Sequence, residues 1–272
     1  MARTIFYVSD GTGITAEAVG HALLTQFPGL RFRTERIPFV EDEERAQAAL
    51  ERIRAVARSE GVRPVVVSSV VTPEIRRVFA EADALVLDII DSYLGPLEEE
   101  FGVQSSPKAG RAHGFGDPAR YDARIAATNY ALSHDDGLGS DYDEADVILL
   151  GVSRSGKTPT CLYLALHYGV KAANDPLVPE DLEARRIPDR FARVRDRLFG
   201  LTIDPERLAE VRETRMPGTR YASLAQCRWE VAAAERLLAS RSIPILSTTR
   251  SSVEEIASMI MNRLDLRAPR QR

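Results

Sequence analysis

Eight consecutive residues near the middle of the chain have the spacing of a loop that wraps nucleotide phosphates. They match the pattern G-x-x-x-x-G-K-[ST] without a mismatch, and they are Gly151, Val152, Ser153, Arg154, Ser155, Gly156, Lys157 and Thr158. Glycines let backbone N–H groups approach phosphate oxygens, the lysine adds a positive charge, and the threonine offers a hydroxyl to a phosphate or a metal ion. The pattern predicts a phosphate-binding loop, and the alternative is a surface turn rich in glycine and serine.

The segments on either side favour the first interpretation. The run from Ala145 to Leu150 is apolar and short, which is typical of a buried parallel strand. The residues from Thr158 to Tyr168 have helical composition, and Gly169 is a suitable C-terminal stop. A strand, a glycine loop and a helix in this order would place the positive end of the helix dipole at the phosphates.

A second glycine-containing turn follows the first apolar run of the chain. Its residues are Ser9, Asp10, Gly11, Thr12 and Gly13. Ligands of open parallel sheets bind beyond the carboxyl ends of the strands, so Asp10 is a candidate proton acceptor or metal ligand. A tight turn in which Asp10 or Thr12 caps the next helix is an equally good interpretation.

A third candidate is the acidic turn, in which His134 is followed by Asp135, Asp136 and Gly137. An imidazole beside two carboxylates could take the proton of a nucleophilic hydroxyl or bind Mg²⁺. The alternative is a helix C-terminus, where histidine is favoured, followed by a solvated acidic turn.

Two further features have competing interpretations. Asp204 follows the apolar run from Leu198 to Ile203, like the acid that reaches the metal in phosphate-loop enzymes. Because Pro205 comes next, an N-cap of a helix is the favoured interpretation. A basic stretch also has two interpretations. Its arginines could contact a transferring phosphoryl group, or they could form a solvated helix face. They are Arg185, Arg186, Arg190, Arg193, Arg195 and Arg197.

Apolar runs and helical patterns alternate along the chain. Strands are predicted at residues 4–8, 30–39, 65–67, 85–87, 145–150, 198–203 and 243–246. Helices are predicted at residues 14–26, 41–59, 73–82, 96–101, 119–133, 158–168, 207–215, 222–240 and 253–264. This alternation predicts an α/β protein, with a parallel sheet in the N-terminal part and a phosphate-loop nucleotide-binding C-terminal part.

Periodicity is lost between residues 103 and 118, where glycine, proline and serine are frequent. A loop of this length is functional or a connector. We therefore predict an α/β domain over residues 1–117, a connecting helix and acidic turn over residues 118–140, and a nucleotide-binding domain over residues 141–272.

The composition excludes several classes of function. A formal net charge of −4 in 272 residues gives no general attraction to nucleic acid or anionic membranes. The two cysteines, Cys161 and Cys227, cannot build a disulfide framework and lack metal-ligand spacing. No apolar stretch has the length of a signal peptide or membrane span. We expect a cytoplasmic protein that binds neither nucleic acid nor membrane.

Several segments together resemble one family, that of the phosphoenolpyruvate synthase regulatory proteins, which are related to the pyruvate, phosphate dikinase regulatory proteins. The similarity covers nearly the whole chain in order. It is carried by residues 6–12, 14–17, 121–127, 134–137, 151–159, 198–208, 223–228 and 252–257. The chain departs from the family pattern at Ser155, where some relatives have cysteine, and at Asp175, where an aromatic residue is usual.

The resemblance implies a bifunctional, ADP-dependent serine/threonine protein kinase and phosphate-dependent pyrophosphorylase. Its protein substrate would be phosphoenolpyruvate synthase, which is inactivated when ADP phosphorylates a threonine near the catalytic histidine. Inorganic phosphate would reverse the modification by phosphorolysis and yield pyrophosphate. The sequence leaves open whether one site serves both activities, whether the chain forms a homodimer, and whether Mg²⁺ takes part.

Two other functions fit the loop. One is a small-molecule kinase that uses ATP, and the other is a nucleotide-dependent binding switch that transfers no phosphoryl group. In our interpretation residues 151–158 bind the phosphates and Lys157 stabilises the transferring charge. Asp10, His134, Asp135 and Asp136 are the candidate bases or metal ligands.

Overall fold

The computed structural model describes residues 3–106, 118–139 and 141–266 of the chain. The chain divides into two units, Met1–Gly116 and Asp117–Arg272. The first unit contains strands β1 (Arg3–Val8), β2 (Phe32–Ile37), β3 (Val65–Ser68) and β4 (Leu85–Asp88). Its helices are α1 (Ile14–Leu24), α2 (Glu43–Glu60), α3 (Pro73–Phe79) and α4 (Asp91–Phe101).

The sheet of the first unit has the strand order β2-β1-β3-β4, and all its pairings are parallel. Helix α2 begins where the Asp42 side chain accepts a hydrogen bond from the Arg45 N–H and ends at Gly61, which has a positive φ of 63°. Apolar residues at helical spacing, among them Leu50 and Ile53, bury one face of α2 against the sheet.

The second unit begins with α5 (Pro118–Ser133) and carries β5 (Val147–Gly151), α6 (Lys157–Tyr163), a π-helical turn (Leu164–Tyr168) and β6 (Ala172–Pro176). The elements that follow are α7 (Pro179–Ala184), β7 (Leu198–Thr202), α8 (Pro205–Arg215), α9 (Leu224–Ser240), β8 (Ile245–Ser247) and α10 (Val253–Arg263).

The sheet of the second unit has the order β6-β5-β7-β8 and is again parallel throughout. Strand β5 is buried along its whole length. Ile148 and Leu150 pack into a core layer that includes α9, whereas Val147 and Leu149 pack into the opposite layer with α6 and α10. Helices therefore cover both faces, which is why this strand is a continuous apolar run.

The predicted α/β class and the parallel sheet of the N-terminal part are confirmed, and the second unit has a parallel sheet of its own. Strand β6 and helix α7 were not predicted, and α4 begins earlier than expected. The structure places α5 and the acidic turn in the second unit, where Ala127 and Ala131 of α5 are part of the core. Most of the loop predicted between residues 103 and 118 lies outside the described residues. No helix in the described ranges is long and apolar enough to cross a membrane.

Gly151 at the end of β5 allows the backbones of β5 and β7 to approach each other closely. A Cβ at Gly151 would lie 2.2 Å from the Leu201 carbonyl oxygen, which is backbone and can move only if the strands separate. We expect Gly151→Ala to lower the free energy of unfolding by about 1–3 kcal/mol or more. The measurement is urea unfolding followed by the fluorescence of Trp229, the only tryptophan of the chain, which lies in α9.

A matched control is Gly95→Ala in α4 of the first unit, where, among the described residues outside its own helix backbone, no heavy atom lies within 4 Å of the new Cβ. This substitution should leave unchanged the unfolding transition that Trp229 fluorescence reports. An unaltered transition in Gly151→Ala would contradict the close approach of β5 and β7 at this position.

Candidate active site

The glycine loop, residues 151–158, connects β5 to α6 at the carboxyl edge of the second sheet. The strand, loop and helix follow one another as the sequence predicts. Arg154 and Gly156 have positive φ angles of 73° and 86°. Left-handed residues in such a turn rotate successive N–H groups towards one side, which makes a concave site for an anion.

Several polar groups of the glycine loop have no partner in the described part of the protein. The backbone N–H groups of residues 153, 154, 156, 157 and 158 find no acceptor among the residues that the structure describes. The Ser155 hydroxyl is buried and also has no hydrogen-bond partner within the described ranges. The buried, unpaired Ser155 hydroxyl is costly. Together with the N–H groups beside it, this makes the loop suited to a ligand that supplies several acceptor atoms.

Lys157 is the first residue of α6, and its side chain is buried, with 4% of the residue exposed. Its Nζ donates to the Val152 carbonyl oxygen at 2.9 Å. Burial lowers the pKa of Lys157 to about 8, and the largest opposing influence is the negative charge of Asp136. The amine of Lys157 is therefore held inside the loop.

The acidic turn follows α5 and is attached to β6 by main-chain hydrogen bonds. The Asn174 N–H donates to the His134 carbonyl oxygen at 2.9 Å, and the Gly137 N–H donates to the Asn174 carbonyl oxygen at 3.0 Å. These two bonds bracket Asp135 and Asp136 and hold both residues beside the beginning of α6. Strand β6 therefore positions the turn.

A polar cluster joins the acidic turn to the glycine loop. The Thr158 hydroxyl donates to Asp135 Oδ1 at 2.9 Å. Asn174 Nδ2 donates to the same Asp135 oxygen at 2.5 Å, to Thr158 Oγ1 at 2.8 Å and to Asp136 Oδ1 at 3.4 Å. The structure thus brings together the candidate residues of two separate motifs through Asn174, which sequence analysis did not single out as a functional residue.

His134 makes contacts that fix the turn. Its Nδ1 lies 2.9 Å from the Tyr130 carbonyl oxygen, and its Nε2 lies 2.8 Å from the Asp141 carbonyl oxygen. The ring stacks on Tyr130 with centroids 3.9 Å apart. A Cβ at Gly139 would lie 2.2 Å from this ring, so the chain packs tightly around it. These contacts orient His134 towards the backbone of its own turn.

Asp10 belongs to the first unit and lies at the carboxyl end of β1. It is buried, and its Oδ2 accepts a hydrogen bond from the Val71 N–H at 2.8 Å. The neighbouring Ser9 hydroxyl accepts from Ser69 at 2.9 Å and from the Gly11 N–H at 3.0 Å. In the described structure Asp10 therefore connects the ends of two strands, and its chemical role stays a prediction.

Other candidates have structural partners. Asp204 caps α8 by accepting from the N–H groups of Glu206 and Arg207, which confirms the cap interpretation. Of the arginine stretch, Arg190 forms a two-pronged ion pair with the buried Asp175, which also accepts from the Tyr142 hydroxyl. The sequence signal for Asp175 is only its position beside Asn174 at the end of a short apolar segment.

Burial of the Lys157 charge predicts a pH-dependent cost in stability. A tenfold change in proton affinity corresponds to about 1.4 kcal/mol. Lowering the pKa of Lys157 from 10.5 to about 8 therefore reduces the free energy of unfolding by on the order of 3 kcal/mol while the amine is protonated. The cost is complete below pH 8 and is relieved as the pH rises towards 10.5, because the folded state then loses its proton before the unfolded state does. We expect Lys157→Met to be more stable than the wild type at pH 7.

The measurement is the free energy of unfolding of both proteins between pH 7 and pH 10, followed by Trp229 fluorescence. The advantage of Lys157→Met should shrink as the pH rises. Lys171→Met is the control, because Lys171 is partly exposed and pairs with Glu144 at the surface. An advantage that does not change with pH would contradict the buried charge.

Sequence comparisons show which family the chain is similar to. A sequence model of the kinase/pyrophosphorylase family matches residues 5–261 of the chain. A protein of Xanthomonas oryzae pv. oryzae (strain MAFF 311018) named "Putative phosphoenolpyruvate synthase regulatory protein" is 54% identical over 264 residues, which cover 97% of each chain. Proteins of the same name from Xanthomonas campestris pv. campestris (strain B100) and Xylella fastidiosa (strain 9a5c) are each 53% identical over 264 residues, again 97% of each chain. The chain belongs to the kinase/pyrophosphorylase family.

Proposed function

We propose that this chain is a bifunctional regulator of phosphoenolpyruvate synthase. In one direction it transfers the β-phosphoryl group of ADP to a threonine hydroxyl of the synthase, and AMP leaves. In the other direction inorganic phosphate attacks the phosphothreonine, so that pyrophosphate forms and the threonine hydroxyl is restored. Family membership and the names of the relatives support a regulatory kinase/pyrophosphorylase. ADP, threonine and phosphorolysis follow from the motif resemblance.

The observation that carries the proposal is the set of glycine-loop N–H groups without an acceptor in the described part of the chain, next to a buried lysine and two carboxylates. Both directions move one phosphoryl group between a threonine oxygen and a phosphate oxygen. A single set of donors can therefore hold the β-phosphate of ADP in one direction and the attacking phosphate in the other.

Lys157 supplies the positive charge at the transferring group. Its Nζ now donates to the Val152 carbonyl oxygen inside the glycine loop. An anion bound in the loop adds negative charge close to the amine and raises its pKa, so that Lys157 is protonated when the phosphates are present. Charge on the oxygens of the transition state is then stabilised by groups that are already in place.

We assign the proton acceptor to Asp136. It is exposed, and its one hydrogen bond from Asn174 is long, at 3.4 Å. Asp135 is half-buried and accepts from both Thr158 and Asn174, so it holds the hydroxyl of Thr158 and the amide of Asn174 in position. An exposed carboxylate can reach the threonine of a protein substrate, whereas the Asp135 oxygen is already engaged by two donors.

The same cluster suits Mg²⁺. Thr158 Oγ1 and Asp135 Oδ1 are oxygen ligands of the kind that Mg²⁺ prefers, and Asn174 Oδ1 is buried without a donor among the described residues. Thr158 and Asp135 would hold the ion, which would neutralise charge on the phosphates of the donor.

The direct test is incubation of the purified chain with β-³²P-labelled ADP and phosphoenolpyruvate synthase. We expect label on a synthase threonine together with release of AMP. ATP freed of ADP should give no label. Addition of inorganic phosphate to the labelled synthase should then release labelled pyrophosphate.

Each alternative has a distinct result in this assay. Transfer from purified ATP to a metabolite, with an unlabelled synthase, would support a small-molecule kinase and overturn the proposal. Synthase binding that depends on nucleotide but leaves no label would support a binding switch.

Lys157→Ala should lower the rate of transfer by about 10²–10³-fold, the usual effect of losing one preorganised charge.

The assignment of the proton acceptor makes a separate prediction. Asp136→Asn keeps the shape of the side chain and removes the base, so the rate of threonine phosphorylation should fall by about 10²–10⁴-fold while ADP affinity stays nearly unchanged. The control is Asp189→Asn, an exposed aspartate of the same unit that pairs with Arg186. A wild-type rate in Asp136→Asn would show that the carboxylate takes no proton.

A further inference from the structure

Arg212 in α8 is completely buried, and its guanidinium lies beneath the glycine loop. One terminal nitrogen, Nη2, donates to the Ser153 carbonyl oxygen at 3.1 Å and to Glu230 Oε2 in α9 at 2.6 Å. The other, Nη1, donates to the Tyr221 carbonyl oxygen at 3.0 Å. Arg212 therefore connects the loop to two helices.

Tyr221 adds a second attachment to the same loop residue. Its ring lies 4.0 Å from the centre of the Arg212 guanidinium, and its hydroxyl is 2.9 Å from the Ser153 hydroxyl. Ser153 is thus held by its carbonyl oxygen and by its side chain, from one cluster of residues. Two other side chains of the loop are also attached: Lys157 donates to the Val152 carbonyl oxygen, and Thr158 bonds to Asp135 and Asn174.

The attachment of the Ser153 carbonyl has a consequence for the next residue. In a trans peptide the carbonyl oxygen of one residue and the N–H of the following residue point in opposite directions. Because Arg212 draws the Ser153 oxygen towards α8, the Arg154 N–H must point away from α8. That N–H has no acceptor among the described residues.

The pair of Arg212 and Glu230 is poorly explained as a source of stability. Buried ion pairs can often be replaced by neutral side chains of similar size without loss of stability. Arg212 Nε is also buried without a partner among the described residues, which adds a cost. A guanidinium fork, in contrast, can reach an acid and two carbonyl oxygens at once.

We propose that Arg212 is a positioning residue for phosphate binding, which fixes the Ser153 peptide so that the Arg154 N–H faces the bound anion. The proposal rests on the function proposed above, and it concerns a residue that touches neither nucleotide nor acceptor. Its role is to set the shape of the glycine loop before the phosphates arrive, so that no binding energy is used to order it.

The test measures the dissociation constants of ADP and pyrophosphate by calorimetry for two variants. The double variant Arg212→Met with Glu230→Gln removes the loop contact without leaving a buried unpaired charge. Arg212→Lys keeps the positive charge opposite Glu230 but loses the two terminal guanidinium nitrogens that bond the carbonyl oxygens of Ser153 and Tyr221. The control is Arg228→Met with Glu206→Gln, since this pair also joins α8 to α9 at 2.6 Å but is exposed and does not contact the loop. Circular dichroism and the unfolding midpoint establish that each variant is folded.

We expect both Arg212 variants to bind ADP and pyrophosphate at least about tenfold more weakly than the control, with the same loss for both ligands because only the phosphates are affected. A folded Arg212 variant that binds as the control does would overturn the proposal. Failure of both variants to fold would also overturn it, because Arg212 would then be a residue of the core. If the wild type binds neither ligand, the proposed function fails instead.

Discussion

At the carboxyl edge of the second sheet, the backbone N–H groups of residues 153, 154 and 156–158 have no acceptor among the described residues, and the neighbouring elements pack around this loop. Gly151 brings β5 close to the Leu201 carbonyl, Lys157 is drawn inside the loop, and Arg212 holds the Ser153 carbonyl. The buried charge of Lys157 and the buried Arg212, whose Nε has no partner among the described residues, cost stability when the loop is empty. They are consistent with a loop that is shaped for a phosphate ligand before the ligand binds.

The two units have the same sheet topology but different side chains after the first strand. The sheets have the corresponding orders β2-β1-β3-β4 and β6-β5-β7-β8. In each, the first strand is followed by a connection of the same length, residues 9–13 and residues 152–156, which ends in a glycine of positive φ before a helix. In the first unit, however, Asp10 and Ser9 are engaged by neighbouring strand ends, and no lysine begins the helix. The site therefore depends on side chains that the shared topology does not supply.

Sequence analysis predicted the features that are local and missed those that require tertiary structure. The strand before the glycine loop and the helix after it are marked by a continuous apolar run and a spaced motif. Strand β6 was missed because residues 172–176 contain no β-branched residue and end in Pro176, so Asn174 gave no signal. Arg212 lies in a helix rich in charged residues, where a buried arginine cannot be told from a solvated one.

The central claim, that the backbone of the glycine loop binds phosphate, is tested most directly by amide ¹H–¹⁵N spectra of the full chain during titration with pyrophosphate. The structure predicts saturable shifts of the amides of Arg154, Gly156 and Lys157, while the amides of residues 9–13 stay unchanged. Saturable binding that leaves the amides of residues 153–158 unmoved would contradict the claim, since the anion would then be held by another part of the chain.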